Sequence, residues 1–442
     1  MKIVTIGGGS SYTPELIEGF ILRADEMPIK EIWLVDIEAG KEKLEIVGAM
    51  AKRMIKAANL DWKVYLTLDR KEALKDADFV TTQFRVGLLD ARIKDERIPN
   101  KYGMISQETN GAGGIFKAFR TIPVILDIIE DMKEFCPNAW LVNFTNPAGM
   151  VTEAAIKVGG WEKTVGLCNV PIVHQKINQT VLDSKDVIQR FAGLNHFHWH
   201  RVWDKKGNEL TNTIIEKLYN PEVELTKEMQ AMKNVSDFKF LFPHLKDLGM
   251  LPCAYHRYYY ITETMLNEEL ENYKQNQTRA EVVKQTETEL FELYKDPNLD
   301  HKPEQLTQRG GTYYSDAACE IINSIWNDKR TEMVVSTLNK HALSDLPYDS
   351  VVEVSSIIGA KGPEPLTWGK LPSGARGQIQ ILKAMEETVI KAAISGDYNT
   401  ALHAFVLNPL ITSGDTAVEL LNELLVAHKE HLPQFKEAIK NL

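Results

Sequence analysis

The chain has 442 residues, 44% hydrophobic and 25% charged, a length that suits two domains or one α/β domain with a large extension rather than one ordinary core. Its 51 basic against 61 acidic side chains give a formal charge of −10, and no basic stripe interleaves with aromatics, so nucleic-acid binding lacks its usual electrostatic footprint. No apolar run approaches the roughly 18–20 residues of a membrane span, and Cys136, Cys168, Cys253 and Cys319 are too scattered for a disulfide framework.

A first strand is predicted over Ile3–Ile6, so close to Met1 that no room is left for a signal peptide; a cytoplasmic location is expected. The strand runs into Gly7-Gly8-Gly9-Ser10 and a helix over Pro14–Ala24. Glycines let backbone approach a pyrophosphate, and a helix start offers it free N–H groups. Tyr12 stands where a third glycine would complete the usual G-x-G-x-x-G spacing. The second strand, Ile32–Val35, ends at Asp36, whose carboxylate suits the adenosine ribose hydroxyls and repels a 2′-phosphate, favouring NAD over NADP.

Helices over Gly40–Ala58, Phe116–Phe135 and Met150–Lys157 alternate with strands over Val64–Leu66, Phe79–Thr82, Trp140–Asn143 and Thr164–Leu167. Such alternation predicts βαβ units and a parallel sheet covered on both faces. Arg85 and Arg92 fall on one face if their segment is helical, with salt bridges to Asp90, Asp95 or Glu96 as the alternative.

Cys168-Asn169-Val170-Pro171 is a polar turn at a parallel strand end, where ligands collect in α/β folds. Farther along lies His196, within Gly193-Leu194-Asn195-His196, so a thiolate and an imidazole are on offer to a metal. His196, His198 and His200 alternate along a strand, and any pair of them is a conceivable ligand set. The join near residues 190–197 is expected to be one continuous strand. Beyond Phe197, helices are predicted over Arg279–Tyr294, Asp316–Asn327, Gly377–Ile394 and Ala417–His428, the last capped by Asp415. Glu332–Leu338 and Ser350–Ile358 read as a strand pair within that half. Tyr255, Tyr258, Tyr259 and Tyr260 read as an aromatic core cluster, and Arg309-Gly310-Gly311-Thr312 as a further phosphate-binding helix start.

A dehydrogenase of the lactate or malate type needs no metal, and a simple hydrolase needs no nicotinamide. The combination points to chemistry in which a hydride moves temporarily so that another bond can break. Here the motifs carry a resemblance. Gly7-Gly8-Gly9-Ser10, Phe84-Arg85-Val86-Gly87, Gln107-Glu108-Thr109-Asn110-Gly111, Asn143-Phe144-Thr145-Asn146-Pro147, Gly166-Leu167-Cys168-Asn169-Val170-Pro171, Tyr255-His256-Arg257-Tyr258-Tyr259 and Thr278-Arg279-Ala280-Glu281 occur in one order. In this the chain closely resembles glycoside hydrolase family 4, the NAD- and metal-dependent 6-phosphoglycosidases.

The resemblance implies an α/β fold: an N-terminal Rossmann-like parallel sheet (1–194) followed by a mixed α/β catalytic domain (195–442), as in the lactate/malate dehydrogenase-like superfamily. It assigns Cys168 and His196 to a divalent metal, usually Mn²⁺, although by affinity alone Zn²⁺, Co²⁺ or Ni²⁺ binds a thiolate site tighter. Arg92, Asn146 and Arg279 become substrate contacts, Tyr255 the general base, and Gly7, Gly8, Gly9, Ser10 and Asp36 the NAD contacts; His198 and His200 are left to supporting or surface roles. Relatives acting on α-linked substrates tend to carry Asp after the cysteine as proton donor, whereas the β-linked subgroup carries Asn. Asn169 therefore resembles the 6-phospho-β-glucosidases, contacts substrate and leaves the leaving-group acid unassigned.

Most glycosidases cleave between two carboxylates, and family 4 does not. In the family's route hydride passes from sugar C3 to NAD⁺, the C2 proton is then α to a ketone and can be removed, the C1 group is eliminated, water adds, and the hydride returns. The implied substrates are phosphorylated disaccharides such as cellobiose 6-phosphate or aryl 6-phospho-β-glucosides, and the implied assembly is a homodimer or homotetramer. Three rivals stand beside this reading: a 6-phospho-α-glucosidase or other family 4 specificity, an NAD-dependent 2-hydroxy acid dehydrogenase, and a catalytically silent sensor of NAD or sugar phosphate.

Overall fold

Six apolar strands lie parallel in the spatial order β3-β2-β1-β4-β5-β6, the order of a dinucleotide-binding sheet. They are β1 (Lys2–Ile6), β2 (Glu31–Val35), β3 (Lys63–Thr67), β4 (Phe79–Thr82), β5 (Trp140–Asn143) and β6 (Thr164–Gly166). All six match the sequence expectation to within a residue. This computed structural model describes residues 1–224, 240–309 and 313–442; Gly310, Gly311 and Thr312, read above as a helix start, lie outside the described residues.

The central strands β1, β4, β5 and β6 are buried on both faces almost throughout, whereas the edge strand β3 stays partly exposed. One face packs on α5 (Gly111–Phe135) through Ile115, Phe116, Phe119 and Ile122. The other is covered by α1 (Thr13–Ile21), α2 (Lys41–Ala57) and a helix from the second half, Tyr314–Asn327, whose Ile321 and Ile322 join Leu16, Ile17 and Met50. A buried ion pair and a buried three-membered ion cluster add cross-ties. Arg120 of α5 donates to both oxygens of Asp95 on α4 (Leu88–Lys101), at 2.9 and 2.6 Å. Lys383 lies 2.6 Å from Glu153 and 2.5 Å from Glu386.

The second half departs from expectation in its sheet. The predicted strand pair forms as β10 (Thr331–Leu338) and β11 (Val351–Gly359), antiparallel, but builds no separate sheet. Ser336 pairs with Gly166 of β6, and Glu353 and Val354 pair with β7 (Val187–Leu194), so one sheet continues through both halves. The α/β class holds, with a parallel Rossmann-like half and a second half whose strand pairs are antiparallel, so the sheet as a whole is mixed.

Three local readings are corrected. The run near 190–197 is not one strand: β7 turns back at Asn195-His196 into β8 (Phe197–Asp204), with His196 at φ +64°. Arg85 precedes α4, so it shares no helix face with Arg92. Asp415 sits in the first turn of the helix Gly414–Ala427, and Ser413 holds the cap position. No helix among the described residues is long and apolar enough to cross a membrane.

Candidate active site

The strand register sets the site. Ile6, Thr82, Asn143 and Gly166 lie side by side at the carboxyl ends of β1, β4, β5 and β6. The next residues of each strand, Gly7, Gln83, Phe144 and Leu167, therefore emerge along one edge, the crevice where α/β sheets take ligands. Asn143 fastens that edge: its Oδ1 accepts from Thr82 Oγ1 (2.8 Å) and from the Thr145 amide (3.0 Å). Of the site residues expected from sequence, all but Gly8 line one cavity of roughly 1500 Å³.

At one end is the glycine turn. Gly7 has φ +88°, and the amides of Gly7 and Gly8 both donate to Val35 O, at 2.9 and 2.8 Å. Gly8 packs against Leu34 of β2 instead of facing the cavity. The Gly9 amide donates to Asp36 Oδ2 at 2.8 Å, and a Cβ on Gly9 would sit 2.8 Å from that same oxygen. Asp36 thus holds the turn as well as standing at the end of β2, where a ribose acceptor belongs. A turn that tolerates no Cβ and a carboxylate at the β2 end are what a dinucleotide needs, so these residues fit NAD.

Deeper in the cavity, Cys168 Sγ lies 3.3 Å from His196 Nε2. Two ligands of one cation, with bonds of about 2.3 Å to sulfur and 2.0–2.1 Å to nitrogen, stand roughly 3.1–3.6 Å apart. The pair therefore fits a divalent metal. His196 Nδ1 is hydrogen-bonded to Thr109 Oγ1, and the imidazole stacks on the Tyr255 ring at 4.1 Å between centroids. Burial pushes the Cys168 thiol well above its ordinary range, reinforced by the charge of Glu353, while burial lowers His196 to about 4. Burial also raises the Tyr255 phenol, with Tyr258 and Cys168 adding to it. With no cation beside it Tyr255 is a neutral phenol; a base there needs positive charge close by. Asn146 Oδ1 is buried without a hydrogen-bond partner among the described residues, as an acceptor for a sugar hydroxyl would be.

A knot of charge flanks this pair, built on Glu108 and Lys117, to which sequence reasoning assigned no role. Glu108 meets Arg85 Nη2 at 2.7 Å, Arg92 Nη1 at 3.0 Å and Lys117 Nζ in a close contact. Burial opposes ionisation of Glu108, yet Arg85, Arg92 and Lys117 together hold its carboxyl well below the usual range. Burial and the neighbouring Arg85 bring Lys117 down to about 7. Arg92 also donates to Glu96 at 2.8 Å, so the salt-bridge alternative is correct for Glu96, and Glu108 takes the place of Asp90 or Asp95. Arg279 is exposed at the cavity side and donates to Arg309 O at 3.3 Å; Arg309 lies over the Tyr12 ring at 4.9 Å. His198 and His200, expected in supporting or surface roles, are fully buried on β8.

Comparison with known proteins agrees with this geometry. Residues 2–184 match the family 4 glycosyl hydrolases, and residues 191–411 match the family 4 glycosyl hydrolase C-terminal domain. A probable 6-phospho-beta-glucosidase of Bacillus subtilis (strain 168) is 54% identical over 442 residues, covering 100% of this chain and 99% of its own length. The 6-phospho-beta-glucosidase of Escherichia coli (strain K12) is 45% identical, covering 100% and 98%. The structure of the 6-phospho-beta-glucosidase from Thermotoga maritima with manganese, NAD⁺ and glucose-6-phosphate superposes with a TM-score of 0.86 at 32% identity, covering 98% of this chain and 99% of that one. The chain belongs to glycosyl hydrolase family 4.

Proposed function

We propose that this chain hydrolyses 6-phospho-β-glucosides, phosphorylated cellobiose or aryl glucosides among them, with NAD and a divalent cation, Mn²⁺, as cofactors. The observation that carries the reading is the stacking of Tyr255 on His196, whose far nitrogen meets Cys168, inside the cavity that also holds the glycine turn. When bound, NAD accepts a hydride from sugar C3 and the cation polarises the adjoining oxygens, a contribution of several kcal/mol.

The chain's own residues then have defined tasks. Tyr255, with a cation at Cys168 and His196 to stabilise its phenolate, takes the C2 proton. Arg92 and Arg279 bear on the 6-phosphate with their positive charge, Arg92 from a position fixed by Glu96 and Glu108, remote binding that orients the ring. Asn146 and Asn169 bond its hydroxyls. Asn169, unlike an Asp, cannot protonate a leaving group, which supports the β-linked specificity. Gly7, Gly9, Ser10 and Asp36 receive the dinucleotide. The division of labour falls at residues 194 and 195, the hairpin that presents His196, and the enzyme works in the cytoplasm as a homodimer or homotetramer.

The test uses paired α and β anomers of a chromogenic 6-phosphoglucoside, with NAD⁺, Mn²⁺ and a chelator varied in turn. Turnover of the β anomer that needs both cofactors and accumulates no NADH is expected. Full-speed cleavage without either cofactor, or preference for the α anomer, overturns the reading.

A further inference from the structure

A second group of ligands lies behind the first. His174, His198 and Cys253 each offer one donor atom, and the three atoms lie within 4.8 Å of one another. All are buried, at 4%, 0% and 0% exposure. None belongs to the Cys168 and His196 pair.

His198 is the best prepared of the three donors. His198 Nδ1 is 2.7 Å from Glu353 Oε1, and the other oxygen of that carboxylate accepts from Asn195 Nδ2 at 2.8 Å. A carboxylate on one imidazole nitrogen is how metal-binding histidines are usually oriented, because it fixes the tautomer and frees the opposite nitrogen. The opposite nitrogen here, Nε2, is buried on the side of Cys253, whose thiol is its hydrogen-bonding neighbour. His174 is held loosely: its Nε2 accepts only a 3.2 Å bond from the Ala254 amide, and its ring stands 6.0 Å from that of His198, edge to face. His174 and Ala254 both line the main cavity, which gives an ion a route in.

We propose that His174, His198 and Cys253 form a second metal site, selective for a borderline cation of the Zn²⁺ type, separate from the Cys168 and His196 site and independent of the glycosidase reading. Two imidazoles and a thiolate suit Zn²⁺ or Co²⁺ far better than Mg²⁺ or Ca²⁺, and three protein ligands leave a fourth position for water. Drawing the donors from 4.8 Å to the ~3.5 Å separation of a tetrahedral site needs side-chain movement of about 1 Å. The placement gives the ion a task. His174 follows Cys168 at the start of α7 (Val170–Val181), His198 is two residues past His196, and Cys253 is two residues before Tyr255. One cation there ties together the three segments that deliver Cys168, His196 and Tyr255.

The test is metal stoichiometry on the full chain, stripped with chelator, kept reduced, and titrated with Co²⁺ in the absence of sugar. Two equivalents per chain are expected. Cys253→Ala and His174→Gln should each bind one, Cys168→Ala should also bind one, and Cys168→Ala with Cys253→Ala should bind none. His174→Gln, at the cavity wall, reads the same loss should Cys253→Ala fail to fold. A wild-type chain that takes one equivalent, or a folded His174→Gln chain that still takes two, overturns the proposal. So does complete loss of binding in a folded single variant, which means one shared ion.

Discussion

Thr109 Oγ1 is hydrogen-bonded to Nδ1 of His196, while the other nitrogen of that ring lies 3.3 Å from the Cys168 sulfur. The threonine therefore decides which imidazole nitrogen faces the thiol. With the Nδ1 proton donated to Oγ1, Nε2 carries the free lone pair a metal needs. Thr109→Val keeps the shape and removes the acceptor. It should weaken Mn²⁺ binding about 10–100-fold, the usual effect of removing such a partner, whereas Thr109→Ser should stay near wild type. Equilibrium dialysis against Mn²⁺ reads both, and undiminished affinity in the valine variant would disprove the role.

The same pair makes a prediction about pH. Burial and Glu353 keep the Cys168 thiol protonated at neutrality, and burial keeps His196 neutral down to about 4. A cation binds thiolate and neutral imidazole, so binding should expel one proton, from sulfur. Affinity should rise about tenfold per pH unit between roughly 6 and 8, because the thiol remains the protonated species throughout. Calorimetry in buffers of different ionisation enthalpy counts the protons. None released would place the ion elsewhere, and two would mean that the imidazole starts charged.

Much of this site could be read from the chain because its parts sit at strand ends. Val4, Val80 and Val142 lie in short apolar runs that give way at Gly7, Thr81 and Asn143, so the ligand edge follows from where hydrophobicity ends. Helix α4 was hidden for the opposite reason: Asp90, Arg92, Lys94, Asp95, Glu96 and Arg97 mask its period, and it starts after Gly87 at φ +80°. Helix α7 was hidden by Pro171, which reads as a turn although it occupies the first helical positions, where proline is welcome. The bend at His196 was lost because Phe197, Trp199 and the alternating histidines continue the pattern of β7 and outweigh Asn195, the one turn residue at the bend itself. Thr109, Glu108 and Lys117 were beyond reach for a different cause. Their roles come from contacts such as Thr109 with His196, 87 positions apart, and no local pattern encodes them. A lysine within the apolar run Ile115–Phe119 was the one local sign of a buried charge.

Asp36 carries two duties, which can be separated. Its Oδ2 accepts from the Gly9 amide, and its charge repels a 2′-phosphate. Asp36→Asn retains a carbonyl oxygen for Gly9 and removes the charge; Asp36→Ala removes both. The asparagine variant should lose NAD⁺ over NADP⁺ preference by about tenfold, roughly the 1.5–3 kcal/mol span of hydrogen bonds to a charged group at its lower end. The alanine variant should also raise the NAD⁺ dissociation constant further, as the turn loosens. Fluorescence titration of each cofactor distinguishes them. Equal preference ratios in wild type and the asparagine variant would remove Asp36 from ribose recognition.

The Arg120 and Asp95 pair makes a prediction about the scaffold alone. Burial opposes the Asp95 charge, but Arg120 and His428, whose Nε2 lies 3.0 Å from Asp95 Oδ1, hold the carboxyl at about 2, below its ordinary 3.8. The folded chain therefore binds this proton less tightly than the unfolded chain does. Its stabilising contribution, about 2 kcal/mol, is complete above pH ~4 and disappears as pH falls toward 2. Asp95→Asn should flatten that acid limb. At neutral pH it should also destabilise the chain by about 3–5 kcal/mol, because Arg120, at 2% exposure, is left charged without its anion. Replacing both together, Asp95→Leu with Arg120→Met, should recover most of the loss, since no lone charge stays buried. Urea unfolding at pH 7 and across the acid limb measures all three. A double variant as unstable as Asp95→Asn would mean that the pair matters for the shape of the α4 and α5 contact and not for its charge, since removing the charge would then have restored nothing.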